Sequence, residues 1–167
     1  MINSLMWIDV RLFRAINAFA YGPFDSIGVF IANTLIVVLA LGALLPLIRG
    51  KIMLTARILL AGVVAFFVTE LIKLLIHRPR PFAALSGVHQ LIAKGVTDWS
   101  FPSGHAAVAF ALAVGISVYS RTWGRAAFFL AALVALGRVV VGVHYPSDVI
   151  AGAALGAIVA RLVVRRR

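Results

Sequence analysis

Three short stretches of this chain carry residue types that can do phosphate chemistry. "KLLIHRPRP" (73–81) ends an apolar run with Lys73 and Arg80, "PSGH" (102–105) sets Ser103, Gly104 and His105 in succession, and "RVVVGVHYPSD" (138–148) spaces Arg138, His144 and Asp148 through apolar filler. Lys73, Arg80 and Arg138 could surround a polyanion, and guanidinium forks match phosphate oxygens two at a time. Pro102 suits a helix start, so Ser103, Gly104 and His105 are expected in a first turn whose free N–H groups and dipole favour an anion. His105 and His144 are left for nucleophile and general acid. Asp148 could hold one tautomer of His144 and stabilise its imidazolium form. Phosphoryl transfer suits such a set, because positioning and charge neutralisation supply most of its rate.

These groups stand in an unusual solvent. Of the 167 residues 63% are hydrophobic and only 13% charged, with a mean hydropathy of +1.07. A soluble domain is nearer half apolar and a quarter charged. The composition implies an all-α integral membrane protein, a single membrane-embedded domain over residues 1–167. An excess of 16 Lys+Arg over 5 Asp+Glu could suggest nucleic acid, but there is no polar basic face to bind it, and the cations flank apolar spans instead. There is no cysteine to form disulfides or thiolate metal sites.

Residues 1–22 read as an amphipathic interfacial helix. Leu5, Ile8, Leu12, Ile16 and Phe19 form the apolar stripe, Ser4, Asp9, Arg11, Arg14 and Asn17 take the other face, and Tyr21-Gly22-Pro23 ends it. Asp9, Arg11 and Arg14 make the same stretch a poor signal peptide. The transmembrane bundle then occupies 23–167, with about five helices. The spans are expected near 26–48, 52–76, 101–119, 126–141 and 149–164, with a polar loop at 77–101 and a basic turn at 121–125. Arg49, Lys51, Arg57, Arg121, Arg125, Arg161 and the terminal Arg165–Arg167 fall on one side, which the positive-inside rule makes cytoplasmic. The three polar stretches then share the outer face.

K-x6-RP, PSGH and R-x5-H-x3-D resemble, in order and spacing, the three signature motifs of the type 2 phosphatidic acid phosphatase (PAP2) superfamily. The segment "RPFAALSGVHQLIAKGVTDWSFPSGH" (80–105) further resembles the bacterial undecaprenyl-diphosphate phosphatases. The resemblance implies a bacterial-type multi-pass cell-membrane enzyme acting at the outer face, with a lipid phosphate or diphosphate as substrate and the bilayer as partner. It implies that His144 attacks phosphorus, Asp148 orients it, and His105 protonates the leaving oxygen and then activates water. Lys73, Arg80, Arg138, Ser103 and the Gly104 amide would stabilise the transition state, with no metal or cofactor. Gly137 departs from the pattern, which usually has serine there, so a hydroxyl contact is lost but no charge.

Other polar residues have plainer readings. Glu70 is a same-face partner for Lys73, Arg78 a headgroup or substrate-rim contact, and His77 and His89 solvated interfacial histidines. Asp98 and Trp99 shape the pocket lip or cap the loop, and Trp7, Trp99 and Trp123 are interfacial anchors. Two rival functions are a phosphatidate or phosphatidylglycerophosphate monophosphatase and a non-catalytic membrane protein that binds or transports lipid anions.

Overall fold

The computed structural model describes residues 4–22, 25–95 and 98–164, with side chains from Met6 onward. Its helices are α1 (Ser4–Asn17), α2 (Asp25–Gly42), α3 (Ile52–Leu75), the single turn α4 (Pro81–Ala84), α5 (Gly104–Tyr119), α6 (Arg121–Val140) and α7 (Pro146–Val163). A 3-10 turn, Leu45–Arg49, extends α2. Some expected features lie outside the described residues: the start of the interfacial helix at 1–3, the Ser4 and Leu5 side chains, Pro23 in the break after α1 and the terminal Arg165–Arg167.

Among the described residues four segments are long and apolar enough to cross a membrane: Asp25–Arg49, Ile52–Leu75, Arg121–Val140 and Pro146–Val163. The fifth apolar helix, α5, has 16 residues, about 24 Å of rise against roughly 30 Å of hydrocarbon. It can be short because it is the axis of the bundle. α3, α6 and α7 pack around it, and Ala106, Ala107, Ala109, Ala111, Leu112 and Ala113 are all buried. A helix apolar on every side belongs inside. Alanines there let neighbours come close, and α7 answers with Gly152 and Gly156, where a Cβ would strike the Ser103 and Ala107 carbonyl oxygens. The outer faces of α2 and α3 expose Phe30, Val37, Leu41, Val63, Phe67 and Leu71, which suits lipid as the surrounding solvent.

The predicted basic turn at 121–125 is helical. Only Ser120 separates α5 from α6, and its hydroxyl caps α6 by accepting from the Trp123 N–H at 3.5 Å. Lys51 sits 5.6 Å from the Tyr119 ring, and a cavity lined by Arg49, Lys51, Ser120 and Trp123 brings the two basic turns to one end of the bundle. The polar motifs gather at the other.

The expected polar face of α1 is divided: Asp9 and Asn17 turn inward, whereas Arg11 and Arg14 stay exposed. Asp9, Phe13, Asn17 and Ala20 are buried against the protein, whereas Trp7, Ile8, Leu12 and Phe19 are exposed. Specific partners outweigh hydropathy here. Asn17 Nδ2 donates to the carbonyls of His89 (2.9 Å) and Val140 (2.7 Å), and its Oδ1 accepts from the His89 N–H (3.0 Å).

Candidate active site

Every motif segment sits where a helix begins or ends, which lets polar side chains leave an apolar bundle at one end. Arg80 caps the short α4, in the loop after α3. Ser103 is the N-cap of α5, with Gly104 and His105 in its first turn. Arg138 lies in the last turn of α6, and Pro146 at N1 starts α7 so that Asp148 falls in its first turn.

Four of the predicted residues meet directly. Arg80 is 3% exposed; its Nε donates to the Asp98 carbonyl at 3.0 Å, its Nη1 donates to the Val143 carbonyl at 2.8 Å, and Nη1 lies 3.3 Å from His144 Nε2. On the other side of that ring, His144 Nδ1 is 3.5 Å from Asp148 Oδ2. At that length the contact is electrostatic rather than a formed hydrogen bond. The Ser103 N–H donates to the Asp148 carbonyl at 3.0 Å, tying the start of α5 to the start of α7. Gly104 follows, where a Cβ would come within 3.3 Å of Thr69 Oγ1 and 3.7 Å of Glu70 Oε1.

His105 and Lys73 complete the ring less closely. His105 is half-buried and within Coulombic range of Arg138, His144 and Lys73. Lys73 donates to Glu70 Oε1 at 2.6 Å, the expected same-face pair, and shares with Arg80, Asp98 and Trp99 a cavity of about 360 Å³. Trp99 is therefore a lip residue, and its ring meets that of His77 edge-on at 4.8 Å. His77 and His89 are exposed.

Buried polar atoms normally find partners. Five buried side-chain atoms among the described residues have none, and three of them are Ser103 Oγ, Arg138 Nε and His144 Nδ1. Of these His144 Nδ1 faces Asp148, so the hydrogen-bonding capacity left over for an anion is that of Ser103 Oγ and Arg138 Nε. Electrostatics agree. Burial pushes the His144 imidazole down to about 4, against the opposing pull of Asp148 and with Arg80 and Arg138 adding to the fall, so the ring is neutral at neutral pH. Burial also lowers Arg80, with Asp98, Asp148 and Glu70 working against it, but an arginine stays charged.

Ser100, Tyr145, Asp9 and Asn33 bond to site residues without having been singled out for the site by type or spacing. Asp148 is fully buried, and besides facing His144 it accepts from the Ser100 hydroxyl, from the Tyr145 N–H at 2.8 Å and from Arg78 Nη1 at 2.6 Å. Arg78 is thus turned inward and not toward a substrate rim. Its Nη2 donates to Asp9 Oδ2 at 2.6 Å, and its guanidinium carbon lies 4.0 Å from the centre of the Tyr145 ring. Arg138, 1% exposed, donates from Nη1 to Asn33 Oδ1 of α2 at 3.1 Å. Gly137 has a packing reason: a Cβ there would come within 2.9 Å of Ile31 Cγ2 and 3.0 Å of the Ala32 nitrogen.

A helical membrane bundle with cations, two histidines and a buried aspartate at one end has the makings of a membrane phosphatase. The chain belongs to the PAP2 superfamily, whose family model matches residues 54–167, and is a PAP2-type lipid phosphatase, a hydrolase. It is 32% identical over 162 residues to the undecaprenyl-diphosphatase BcrC of Bacillus subtilis (strain 168), covering 94% of this chain and 80% of that one. It is 40% identical over 112 residues to a decaprenylphosphoryl-5-phosphoribose phosphatase of Mycobacterium tuberculosis (strain ATCC 25618 / H37Rv), covering 63% of this chain and 58% of that one. Among solved structures, the crystal structure of Aquifex aeolicus LpxE superimposes with a TM-score of 0.83 at 27% identity, covering 99% of this chain and all of the other.

Proposed function

We propose that the protein hydrolyses undecaprenyl diphosphate to undecaprenyl phosphate and inorganic phosphate through a phosphohistidine, without a metal. The observation that carries this reading is His144 held between Arg80 and Asp148, 3.3 and 3.5 Å from their nearest atoms. With Nδ1–H toward the carboxylate, Nε2 carries the lone pair that attacks phosphorus, and the Arg80 N–H beside it turns from that lone pair to a phosphoryl oxygen as the substrate enters. As the N–P bond forms, the P–O bond to the lipid phosphate breaks and His105 gives its proton to the leaving oxygen. His105 then takes a proton from water, whose oxygen attacks phosphorus and breaks the N–P bond, freeing phosphate and neutral His144. Lys73, Arg80, Arg138, Ser103 Oγ and the Gly104 N–H meet the charge that develops on the phosphoryl oxygens, the part a metal plays elsewhere.

The bundle crosses the bilayer five times, counting the buried α5, with α1 in the interface. The basic turns face the cytoplasm, and the site opens on the outer face of a bacterial-type cell membrane. Its substrate enters headgroup first while the tail stays in lipid. The similarity to BcrC, over most of both chains, supports the diphosphate. A second reading, a lipid monophosphate substrate, is favoured by the similarity to the mycobacterial phosphatase. The motif residues read phosphate and not lipid, so the test is a comparison of rates. Purified protein should release phosphate fastest from undecaprenyl diphosphate when set beside phosphatidate and phosphatidylglycerophosphate. Faster turnover of either monophosphate would overturn the diphosphate reading.

A further inference from the structure

The face of α1 turned toward the protein lies along the 138–148 segment. Asn17 holds the Val140 carbonyl, Phe13 packs on Tyr145 with ring centroids 5.6 Å apart, and Asp9 reaches the start of α7. The last contact is the most elaborate. Asp9 Oδ1 accepts from the Ser147 N–H at 2.9 Å, and Oδ2 accepts from the Ser147 hydroxyl at 2.5 Å and from Arg78 Nη2 at 2.6 Å. Arg78 Nη1 donates to Ser147 Oγ at 2.7 Å and to Asp148 Oδ1 at 2.6 Å. One guanidinium therefore joins two carboxylates that would otherwise repel, and does so beside a fully buried Asp148.

We propose that Asp9 and Arg78 are positioning residues of the phosphoryl-transfer site, clamping Ser147 and Asp148 so that His144 is held at one distance and orientation for attack. The proposal rests on His144 as nucleophile. A bidentate arginine gripped from both sides has little freedom, and Asp148 in turn limits the imidazole. Asp9 acts from a helix whose opposite face carries the exposed Trp7, Ile8 and Leu12. The element that meets the lipid surface is also the element that fixes the nucleophile.

The test compares Asp9→Ala, Arg78→Ala, the double variant and Ser147→Ala with the intact protein, by phosphate release from undecaprenyl diphosphate and from dioleoyl phosphatidate in detergent micelles. Each of the first two should lower kcat roughly 10- to 100-fold with KM changed less than about threefold, because ground-state contacts with the lipid are untouched. The double variant should match Arg78→Ala within about threefold, since the two residues act as one unit. Arg78→Lys should recover only a minor part, as an ammonium cannot span both carboxylates. Unchanged kcat in a folded Asp9→Ala or Arg78→Ala protein, losses that multiply in the double variant, or an effect confined to KM would overturn it. If those variants fail to fold, Ser147→Ala decides: a several-fold fall in kcat is expected, and none refutes the clamp. Ratios to the intact protein are read on whichever lipid is turned over, so a wrong choice of lipid shows in the intact protein alone. Retained turnover in His144→Ala would remove the nucleophile on which the clamp depends.

Discussion

Arg80 Nη1 stands 3.3 Å from His144 Nε2, and the same nitrogen donates to the Val143 carbonyl one residue away. The cation thus reads the backbone of the loop that carries the histidine, and any shift of one is felt by the other. Arg80→Ala should lower kcat about 100- to 1,000-fold, the usual consequence of deleting one preorganised donor to a transition-state oxyanion. Arg80→Lys should recover little, because a lysine cannot satisfy the Asp98 and Val143 carbonyls together with a phosphoryl oxygen. Steady-state phosphate release checks both. A lysine variant with near-normal kcat would reduce Arg80 to a point charge.

The buried His144 also makes stability depend on pH. Its pKa falls from an ordinary value near 6.5 to about 4 on folding. Between those values the unfolded chain binds a proton that the folded protein refuses, so stability is complete above about 6.5 and is lost as pH drops toward 4. The loss attributable to this ring approaches roughly 3 kcal/mol at its limit. Thermal unfolding of the intact protein and of His144→Gln in detergent, each followed from pH 7 to pH 4, isolates it: the variant should show the shallower decline. Parallel declines would mean that other groups carry the acid sensitivity.

How much of this could be read from residue order follows from what each residue depends on. His144 and Asp148 are four apart across a helix start, and Ser103, Gly104 and His105 are consecutive, so local geometry alone brings them near one another. The helical spans were likewise plain, since lipid demands long apolar runs. The clamp was hidden because its bonds join residues 69, 70 and 138 positions apart. Asp9 and Asn17 looked like a water-facing stripe for the same reason: periodicity shows that they share a face of α1, and only their partners show that the face is turned inward. Arg78 and Arg80 sit in identical Arg-Pro pairs; the spacing from Lys73 singles out Arg80, and only the tertiary contacts show Arg78 turned toward Asp9 and Asp148.

Gly137 offers a direct check on the helix packing behind the site. The backbone of α2 at Ala32 leaves no room for a side chain there, so Gly137→Ser should not restore a hydroxyl contact. It should force α2 away from α6 and destabilise the protein by about 1–3 kcal/mol, the usual cost of overpacking. A lower unfolding temperature with kcat no higher than that of the intact protein is the expected outcome. A serine variant that is both stable and faster would show that α2 can move aside.

Asn33 separates the structural from the electrostatic work of Arg138. It is itself exposed, yet it supplies Oδ1 to the 1% exposed guanidinium at 3.1 Å. Asn33→Ala removes an acceptor and should cost about 1–3 kcal/mol of stability, because the arginine is left with a poorly satisfied donor. Asn33→Asp keeps the acceptor and adds a negative charge. It should therefore unfold no earlier than Asn33→Ala, but an anion beside Arg138 competes with the substrate phosphate for the same cation. Its kcat/KM should fall below that of Asn33→Ala by roughly tenfold, as expected for one opposing charge in a partly buried setting. Added salt should narrow that gap if the charge is reached by solvent. Equal kcat/KM in the two variants would place Arg138 outside the field that the phosphate feels, and would leave Lys73 and Arg80 as the cations that matter.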